Sequence, residues 1–293
     1  MPLMRAVTGA ASRVAPERVG RHAFERFATP PPPPDLGEFG ERVARARALL
    51  ESGRREDLEL DGEPLATWTF EPDGAARGGD ARPPTVALIH GWTSRAAFMA
   101  AFVEPLVGSG HRVVAVDLPA HGESGGTRLH LGIAVDAMLA VHARTGPWRG
   151  VVGHSFGGAV ATALADGTVR GRPAVPLERL ALVAAPESVP AIFAGFGALV
   201  GLGARAQAAM DGRVDELAGR PLADFRGADM LARLRLPTLV LHAPEDRDVG
   251  FDEARALEAA GDFVRLVPVP GAGHRRILYD PRAVEAVARF FDP

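Results

Sequence analysis

The sequence predicts an α/β fold, in which a largely parallel sheet is covered by helices on both faces. Short, continuous apolar runs alternate with helical stretches along most of the chain, and such runs are typical of strands buried on both faces. The 293 residues, of which 47% are hydrophobic, are sufficient to bury one substantial core. The interval 186–236 breaks the alternation because it is long and mainly helical, and we expect it to be an insertion over the edge of the sheet.

Residues 1–55 differ from this alternating core and are predicted to form an N-terminal unit of helices and a proline-rich spacer. The segment Ala11–Phe27 is predicted to be a helix, and its apolar contacts are Val14, Phe24 and Phe27. We expect this helix to pack on the main domain. Its arginines leave association with a membrane surface as an alternative, although its apolar face is small.

A spacer and a second helix follow this first helix. The five consecutive prolines at 30–34 favour a stiff, extended segment. Apolar residues at helical spacing then predict a helix that ends near Gly53. These apolar residues are Phe39, Val43, Ala46 and Leu50.

The predicted core, residues 56–293, begins with a hairpin in which Leu58–Leu60 and Leu65–Phe70 flank the turn Asp61-Gly62. A loop rich in glycine and proline, residues 72–84, follows the hairpin. The strands predicted after this loop are Thr85–His90, Arg112–Asp117, Gly150–Gly153, Leu180–Ala184, Thr238–His242 and Phe263–Val269. The helices predicted between and after them are Ala96–Val107, Leu129–Arg144, Phe156–Ala165, Asp252–Ala260 and Arg282–Phe291.

Composition excludes several classes of chemistry. The chain has no cysteine, which excludes a cysteine nucleophile, disulfides and thiolate metal sites. Lysine is also absent, which removes Schiff-base chemistry and the lysine of phosphate-binding loops. With 33 basic and 36 acidic residues, the net charge is −3, so the chain lacks the basic excess of a typical nucleic-acid-binding protein.

The strongest local motif is Gly153-His154-Ser155-Phe156-Gly157, which fits the pattern Gly-x-Ser-x-Gly. It lies between a predicted strand and a predicted helix, which is the context that the motif requires. Glycines on either side relieve clashes in such a turn, and strain is tolerated there because it exposes the serine hydroxyl to a substrate. Ser155 is therefore the candidate nucleophile, and an ordinary glycine-rich turn is the alternative.

Two further side chains are candidates for a base and an acid. A serine hydroxyl needs a base to take its proton, and His274 lies in a glycine-flanked loop after the last predicted strand. The base in turn needs a carboxylate that fixes its tautomer. In the loop after Thr238–His242 we favour Asp246 for this role, with Asp248 and Glu245 as alternatives.

The negative charge of a tetrahedral intermediate requires hydrogen-bond donors, together called an oxyanion hole. The backbone N–H of Phe156 directly follows the candidate nucleophile and is one candidate donor. The backbone N–H of Trp92 is the second candidate, since Gly91 before it allows the chain to turn sharply. His90, His121 and His154 are interpreted as structural hydrogen-bonding residues.

Taken in chain order, these motifs resemble the α/β-hydrolase superfamily. The matching segments are His90-Gly91-Trp92, Asp117–Ser124, Gly153–Gly157, Pro237–Asp246 and Gly273-His274. The resemblance covers about Leu58 to Phe291. It implies an eight-stranded, mostly parallel sheet with an antiparallel second strand, and a small helical cap after strand six, where 186–236 lies. It also implies that Ser155 is the nucleophile, His274 the base and Asp246 the orienting acid. The end of the chain is similar to a group of bacterial hydrolases known mostly from sequence.

A serine nucleophile in this superfamily implies hydrolysis of a carboxylic ester or thioester through an acyl-enzyme. His154, Phe193 and Phe196 are candidate substrate-pocket residues. The apolar residues of the insertion either line a pocket for an acyl chain or only pack the cap onto the core. Serine peptidase, amidase or acyltransferase chemistry on the same residues is an alternative. A non-catalytic binding module on this scaffold is another.

We predict no cofactor and no metal site, because the sequence has no helical histidine pair, no acidic cluster and no dinucleotide-binding glycine motif after a strand. The expected partner is a small-molecule acyl substrate and not a nucleic acid. No apolar run reaches the ~20 residues of a membrane span, and no secretory signal is evident, so we expect a cytoplasmic protein. The sequence does not indicate the oligomeric state.

Overall fold

The computed structural model describes residues 2–31, 40–73 and 82–292, and its centre is an eight-stranded sheet. In chain order the strands are β1 (Arg54–Leu60), β2 (Glu63–Phe70), β3 (Thr85–Ile89), β4 (Arg112–Val116), β5 (Trp148–His154), β6 (Arg179–Val183), β7 (Thr238–His242) and β8 (Val264–Pro268). Their spatial order is β1-β2-β4-β3-β5-β6-β7-β8. Strand β2 is antiparallel to both neighbours, and the strands from β3 to β8 pair in parallel. The predicted mostly parallel sheet is therefore confirmed.

Helices cover both faces of this sheet, as predicted. The α-helices of the described residues are α1 (Pro2–Val14), α2 (Pro16–Ala28), α3 (Gly40–Glu51), α4 (Val103–Gly108), α5 (Leu131–Thr145), α6 (Phe156–Asp166), α7 (Val189–Val200), α8 (Ala204–Ala218), α9 (Gly227–Leu234), α10 (Phe251–Glu258), α11 (Gly273–Arg276) and α12 (Pro281–Phe291). One face packs against α5, α6, α9 and α10, and the other packs against α3, α4 and α12. The helix predicted over Ala96–Val107 is a 3-10 helix, Ala96–Phe102, followed by α4.

The central strands are buried along their whole length because each faces a helical layer on either side. In β3, Ala87 and Ile89 contact one layer, whereas Val86 and Leu88 contact the other. Successive side chains of a strand point to opposite faces of the sheet. A continuous apolar run is therefore the sequence that such a strand requires.

The first two strands form the predicted hairpin. Leu60 pairs with Glu63, and the two residues between them, Asp61 and Gly62, have φ values of 52° and 82°. Positive φ at both central positions gives the turn a twist that matches the twist of the strands. The Asp-Gly pair therefore determines the register of this hairpin.

The N-terminal helix predicted over residues 11–27 is two helices, so the prediction of one helix is wrong. Pro16 has no N–H and a fixed φ, which suits the first turn of a helix and not its interior, and α2 begins at this residue. Val14, which was expected to make an apolar contact, is 86% exposed at the end of α1. Phe24 is buried, as predicted.

Part of the predicted N-terminal unit lies outside the described residues. This part includes the prolines at 32–34 and Phe39, and the side chain of Val43 is likewise not described. Residues 74–81 of the predicted glycine- and proline-rich loop also lie outside the described residues. Within α3, Ala46 and Leu50 are buried against the sheet, as their helical spacing predicts.

The insertion after β6 consists of α7, α8, a short 3-10 helix and α9. Its two ends are paired, because Ser188 and Arg226 form an antiparallel bridge and the N–H of Gly227 donates to the carbonyl of Glu187 over 2.6 Å. The side chain of Arg226 also forms an ion pair with Glu187 over 3.0 Å. Helix α9 packs on α6 and α10, whereas α7 and α8 lie beyond the paired ends.

Of the three N-terminal helices, α1 and α2 pack mainly on this insertion. Helix α2 lies along α8, and α1 contacts α2, α7 and α8. This agrees with the expected packing on the main domain, 56–293, of which the insertion is part. Apolar periodicity identifies a buried face, but it does not identify which part of the domain covers that face. Among the described residues, no helix combines the length and apolar character needed to cross a membrane.

Candidate active site

Ser155 lies at a sharp turn between β5 and α6. Its φ of 51° and ψ of −122° are rare for a residue with a side chain, and such conformations cost about 1–3 kcal/mol. A Cβ at Gly153 would lie 2.5 Å from the carbonyl oxygen of Gly157, and a Cβ at Gly157 would lie 2.3 Å from that of Ile89. Both positions therefore require glycine, which explains the motif around Ser155 by close packing of backbone.

His274 and Asp246 are hydrogen-bonded to each other. The Nδ1 atom of His274 lies 2.8 Å from Oδ2 of Asp246, so Nδ1 donates this hydrogen bond and Nε2 faces away from the acid. The other carboxylate oxygen of Asp246 accepts hydrogen bonds from the backbone N–H groups of Asp248 and Val249, over 2.8 and 3.0 Å. Of the three acids that the sequence offered, Asp246 makes this contact, whereas Glu245 and Asp248 are exposed.

The surroundings of Asp246 favour its ionised form. Burial alone would raise the pKa of this carboxyl, but the hydrogen bonds from His274 and from the N–H of Val249 outweigh burial and lower its pKa below the ordinary value of 3.8. The carboxylate is therefore ionised at neutral pH. An ionised acceptor at Nδ1 holds the histidine ring in one tautomer and stabilises its protonated form.

The loop after β3 passes directly beside Ser155. A Cβ at Gly91 would lie 3.0 Å from the Cβ of Ser155 and 3.0 Å from Nδ1 of His154, so this close approach favours glycine. Within the described part of the chain, the backbone N–H groups of Trp92 and Phe156 donate no hydrogen bond. Phe156 begins α6, and the first N–H groups of a helix have no partner within the helix. Both candidate oxyanion donors are thus free to bind a negatively charged oxygen.

Two buried histidines hold this loop in place. Nε2 of His90 accepts a hydrogen bond from the N–H of Leu118 over 2.9 Å, and its Nδ1 donates to the carbonyl of Gly91 over 2.8 Å. Nε2 of His121 accepts from the N–H of Thr93 over 3.1 Å. Burial lowers the pKa of His90 to about 3, so its ring is neutral and can both donate and accept. These contacts are the structural role predicted for both residues.

His154 does not line the pocket, so its assignment as a pocket residue is wrong. Its side chain is buried beneath the site, and its Nε2–H donates a hydrogen bond to the backbone carbonyl of His274 over 3.0 Å. Burial, together with the nearby His274, lowers the pKa of His154 to about 3. Side chains alternate in direction along β5, and that alternation turns the residue before Ser155 into the protein.

Ser155 and His274 open into one cavity of about 280 Å³, whose walls are mostly apolar. Helices α7 and α8 form much of its roof. Phe193, a candidate pocket residue, lines this cavity. Phe196 instead lines an adjoining groove of about 430 Å³. A cavity of this size suits a small ligand, because pockets for small molecules begin at roughly 300 Å³.

Two cavity residues come from a part of the chain that sequence reasoning did not connect with the site. Phe24 and Phe27 of α2 line the same cavity as Ser155. Their spacing of three residues indicated a helix with an apolar face. No signal in the sequence indicated that this face would lie above the nucleophile turn, more than 100 residues later.

Asp246, Asp248 and His274 place three potential metal-ligand atoms within 4.8 Å of one another. The oxygens of Asp246 already accept hydrogen bonds from His274 and from two backbone N–H groups. These contacts are those of an acid that is hydrogen-bonded to a histidine, close to a serine.

Comparison with sequence models of known families identifies the family to which the chain belongs. Residues 86–289 match the sequence model of the Alpha/beta hydrolase family. The chain belongs to the α/β-hydrolase family. The match covers more than half of the chain and begins after α1, α2 and α3, so the N-terminal helices lie outside it. No curated protein sequence matches this α/β-hydrolase.

Solved structures with the same fold include esterases and a thioesterase domain. Est1E from Butyrivibrio proteoclasticus is 21% identical with a TM-score of 0.61, and the match covers 81% of this chain and 97% of Est1E. The esterase EaEST from Exiguobacterium antarcticum is 15% identical with a TM-score of 0.57, over 81% and 98% of the two chains. The thioesterase domain from the curacin biosynthetic pathway is 20% identical with a TM-score of 0.56, over 81% and 98%. The family and these neighbours support a hydrolase.

Proposed function

We propose that this α/β-hydrolase is a serine hydrolase that cleaves a carboxylic ester or thioester through an acyl-enzyme intermediate. The observation that supports this proposal most is the meeting of Ser155, in its strained turn, with the hydrogen-bonded His274–Asp246 pair at one apolar cavity. The esterase and thioesterase neighbours add support for this bond type.

In the first half of the reaction, Oγ of Ser155 attacks the carbonyl carbon of the substrate. Nε2 of His274 takes the hydroxyl proton, while Nδ1 keeps its hydrogen bond to Asp246. In the described structure no hydrogen bond joins Ser155 Oγ to His274, and bound substrate is expected to bring them together. The N–H groups of Trp92 and Phe156 bind the negatively charged oxygen of the tetrahedral intermediate.

The intermediate collapses when the bond from carbon to the leaving oxygen or sulfur breaks. Nε2–H of His274 gives its proton to the leaving alcohol or thiol, and the acyl group stays on Ser155. His274 then takes a proton from water, and the resulting hydroxide attacks the acyl carbon. Collapse of the second intermediate releases the acid and returns the proton to Ser155.

The cavity indicates the kind of acyl group. Its walls are mostly apolar, and Phe193 from α7 faces the space above Ser155. An apolar chain or ring leaves water on entering such a cavity, which favours binding by about 0.8 kcal/mol for each buried methylene group. The proposed substrates are therefore esters or thioesters of small to medium apolar acids.

The test is hydrolysis of p-nitrophenyl esters from acetate to palmitate and of thioesters of the same acids. We expect the wild-type protein to hydrolyse them, and Ser155→Ala to lower turnover by about 10⁴-fold or more. Ser52→Ala is the matched control, because Ser52 is exposed and, among the described residues, its hydroxyl bonds only to the carbonyl of Leu49 nearby. The control is expected to retain wild-type rates.

Two results would contradict the proposal. Retention of hydrolysis by Ser155→Ala would exclude this serine as the nucleophile. Absence of ester and thioester hydrolysis by the wild-type protein, with Ser155-dependent cleavage of amides or transfer of acyl groups, would assign the same residues to peptidase, amidase or acyltransferase chemistry.

A further inference from the structure

We propose that helix α2 forms one wall of the acyl cavity and that Phe27 on this helix sets the length of apolar chain that the cavity accepts. This inference rests on the proposed function and adds to it a residue that determines specificity. Helix α2 precedes the family segment, residues 86–289, so the proposed wall is additional to the hydrolase core.

Helix α2 lies in direct backbone contact with α8. A Cβ at Gly20 would lie 2.3 Å from the carbonyl oxygen of Ala206 and 2.8 Å from the backbone nitrogen of Met210. Ala23 and Phe24, on the same side of α2, are buried. Such an approach leaves no room for the helix to slide, so its position above the cavity is fixed by packing.

The end of α2 is also attached to the hydrolase core. The carbonyl of Ala28 accepts a hydrogen bond from the N–H of Leu129 over 2.7 Å. Glu25 forms an ion pair with Arg128 over 2.7 Å. Leu129 and Arg128 precede α5 of the core, so α2 contacts both the insertion and the core.

Phe27 lies at the centre of an aromatic cluster above the candidate active site. Its ring centroid is 4.6 Å from that of Phe193 and 5.3 Å from that of Phe196. It also stacks on Trp92, with centroids 6.0 Å apart and planes inclined by 18°. The backbone of Trp92 supplies a candidate oxyanion donor. Phe27 therefore contacts a residue that is itself proposed to bind the reacting oxygen.

The stacked pair of Phe27 and Trp92 separates two spaces. Both residues line the cavity of about 280 Å³ that contains Ser155. Both also line the adjoining groove of about 430 Å³, together with Thr29 and Phe196. An acyl chain that extends from Ser155 therefore ends against this pair. A smaller side chain at position 27 would join the two spaces and admit a longer chain.

The experiment compares wild type with Phe27→Ala, Phe27→Leu and Phe27→Trp on p-nitrophenyl esters from acetate to palmitate. We expect Ala and Leu to raise the ratio of kcat/KM for palmitate over butyrate by about tenfold or more, because single methylene groups already change such ratios by 10–200-fold. Phe27→Trp should lower the ratio. Phe290→Ala is the matched control, since this half-buried ring on α12 packs against Phe291 and lines neither space, and it should leave the ratio unchanged.

A binding measurement on Ser155→Ala variants tests the length preference of the same cavity in the absence of hydrolysis. Hexanoate, decanoate and palmitate are titrated while tryptophan fluorescence is recorded, since Trp92 lies between the two spaces. Phe27→Ala or Phe27→Leu should shift the tightest binding to a longer acid. Leucine keeps an apolar side chain at this position, so it serves if the alanine variant does not fold.

The outcomes separate this inference from the proposed function. If the folded Phe27 variants hydrolyse esters with an unchanged length preference, the proposal that Phe27 limits chain length is overturned and the proposed hydrolase function is not affected. Absence of hydrolysis together with a shifted binding preference would overturn the proposed hydrolase function and support the proposed role of Phe27. Unchanged preferences in both measurements would reject Phe27 as the residue that limits chain length.

Discussion

His154 donates a hydrogen bond from Nε2–H to the backbone carbonyl of His274, over 3.0 Å. The ring centroids of these two histidines lie 5.0 Å apart. His154 precedes Ser155 directly, so this hydrogen bond connects the nucleophile turn to the loop that bears the candidate base. A buried, neutral residue therefore links the backbone segments that carry the candidate nucleophile and the candidate base.

Replacing His154 with phenylalanine should lower kcat with little change in KM. The variant keeps a planar ring but loses the donor, and displacement of a reacting group by about 1 Å can cost 10²-fold in rate. We expect a fall of about tenfold or more in steady-state hydrolysis of p-nitrophenyl butyrate. His154→Gln keeps an N–H donor and should recover part of the loss. Equal kcat values for wild type and the phenylalanine variant would show that the hydrogen bond does not position His274.

Replacing Asp246 with asparagine should lower kcat by about 10⁴-fold, because an amide at this position favours the wrong tautomer of His274. The measurement is steady-state hydrolysis at neutral pH. Glu245→Gln is the matched control, since Glu245 is an exposed acid of the same loop, and it should retain wild-type activity. A small effect of Asp246→Asn would contradict the assignment of Asp246 as the orienting acid and would favour Asp248 for that role.

The buried histidines predict that stability falls in mildly acidic solution. The pKa values of His90 and His154 are lowered from 6.5 to about 3, mainly by burial. Below pH 6.5 the unfolded chain takes up protons that the folded protein does not, so their contribution is present above this pH and is lost as the pH falls toward 3. Each residue should contribute about 1.4 kcal/mol per pH unit.

Urea unfolding between pH 7 and pH 4 measures this slope. His154→Phe removes one titrating group, so its free energy of unfolding should fall less steeply with acid by about 1.4 kcal/mol per pH unit. The same slope in the variant and in wild type would mean that His154 is not held neutral in the folded protein.

Two glycine-to-alanine substitutions should have opposite effects on stability. A Cβ at Gly157 would meet the carbonyl oxygens of Ile89 and His90 at 2.3 and 2.6 Å, so Gly157→Ala should destabilise the protein by about 1–3 kcal/mol and reduce activity. A Cβ at Gly212 in α8 would meet nothing within 4 Å. Gly212→Ala should therefore stabilise by about 0.5–1 kcal/mol. Thermal unfolding of both variants checks the signs, and a stable Gly157→Ala variant would contradict the packing described for the turn.

The sequence predicts those parts of the site that depend on local geometry. Ser155 was recognisable because the glycines on either side, a strand before it and a helix after it are all adjacent in the chain. The hairpin at Asp61 and Gly62 was recognisable for the same reason. The candidate base and acid were predictable from their places in loops after successive parallel strands, which end at one edge of the sheet.

Tertiary packing decides the features that the sequence did not predict. The direction of His154 depends on which way β5 turns its side chains at its last residue. The partner of the apolar face of α2 depends on where the insertion after β6 lies, and no periodicity within residues 16–28 contains that information. Phe24 and Phe27 were therefore identified as apolar contacts of a helix but not as cavity residues.

The most direct test of the proposed chemistry is reaction with an alkyl fluorophosphonate followed by intact-mass measurement and peptide mapping. Such a reagent phosphonylates a serine only where a base activates it. We predict a single adduct, on Ser155, in the wild-type protein, none in Ser155→Ala, and a strongly slowed reaction in His274→Ala. Absence of an adduct in the wild-type protein, or an adduct on another serine, would contradict the assignment of Ser155 as the nucleophile.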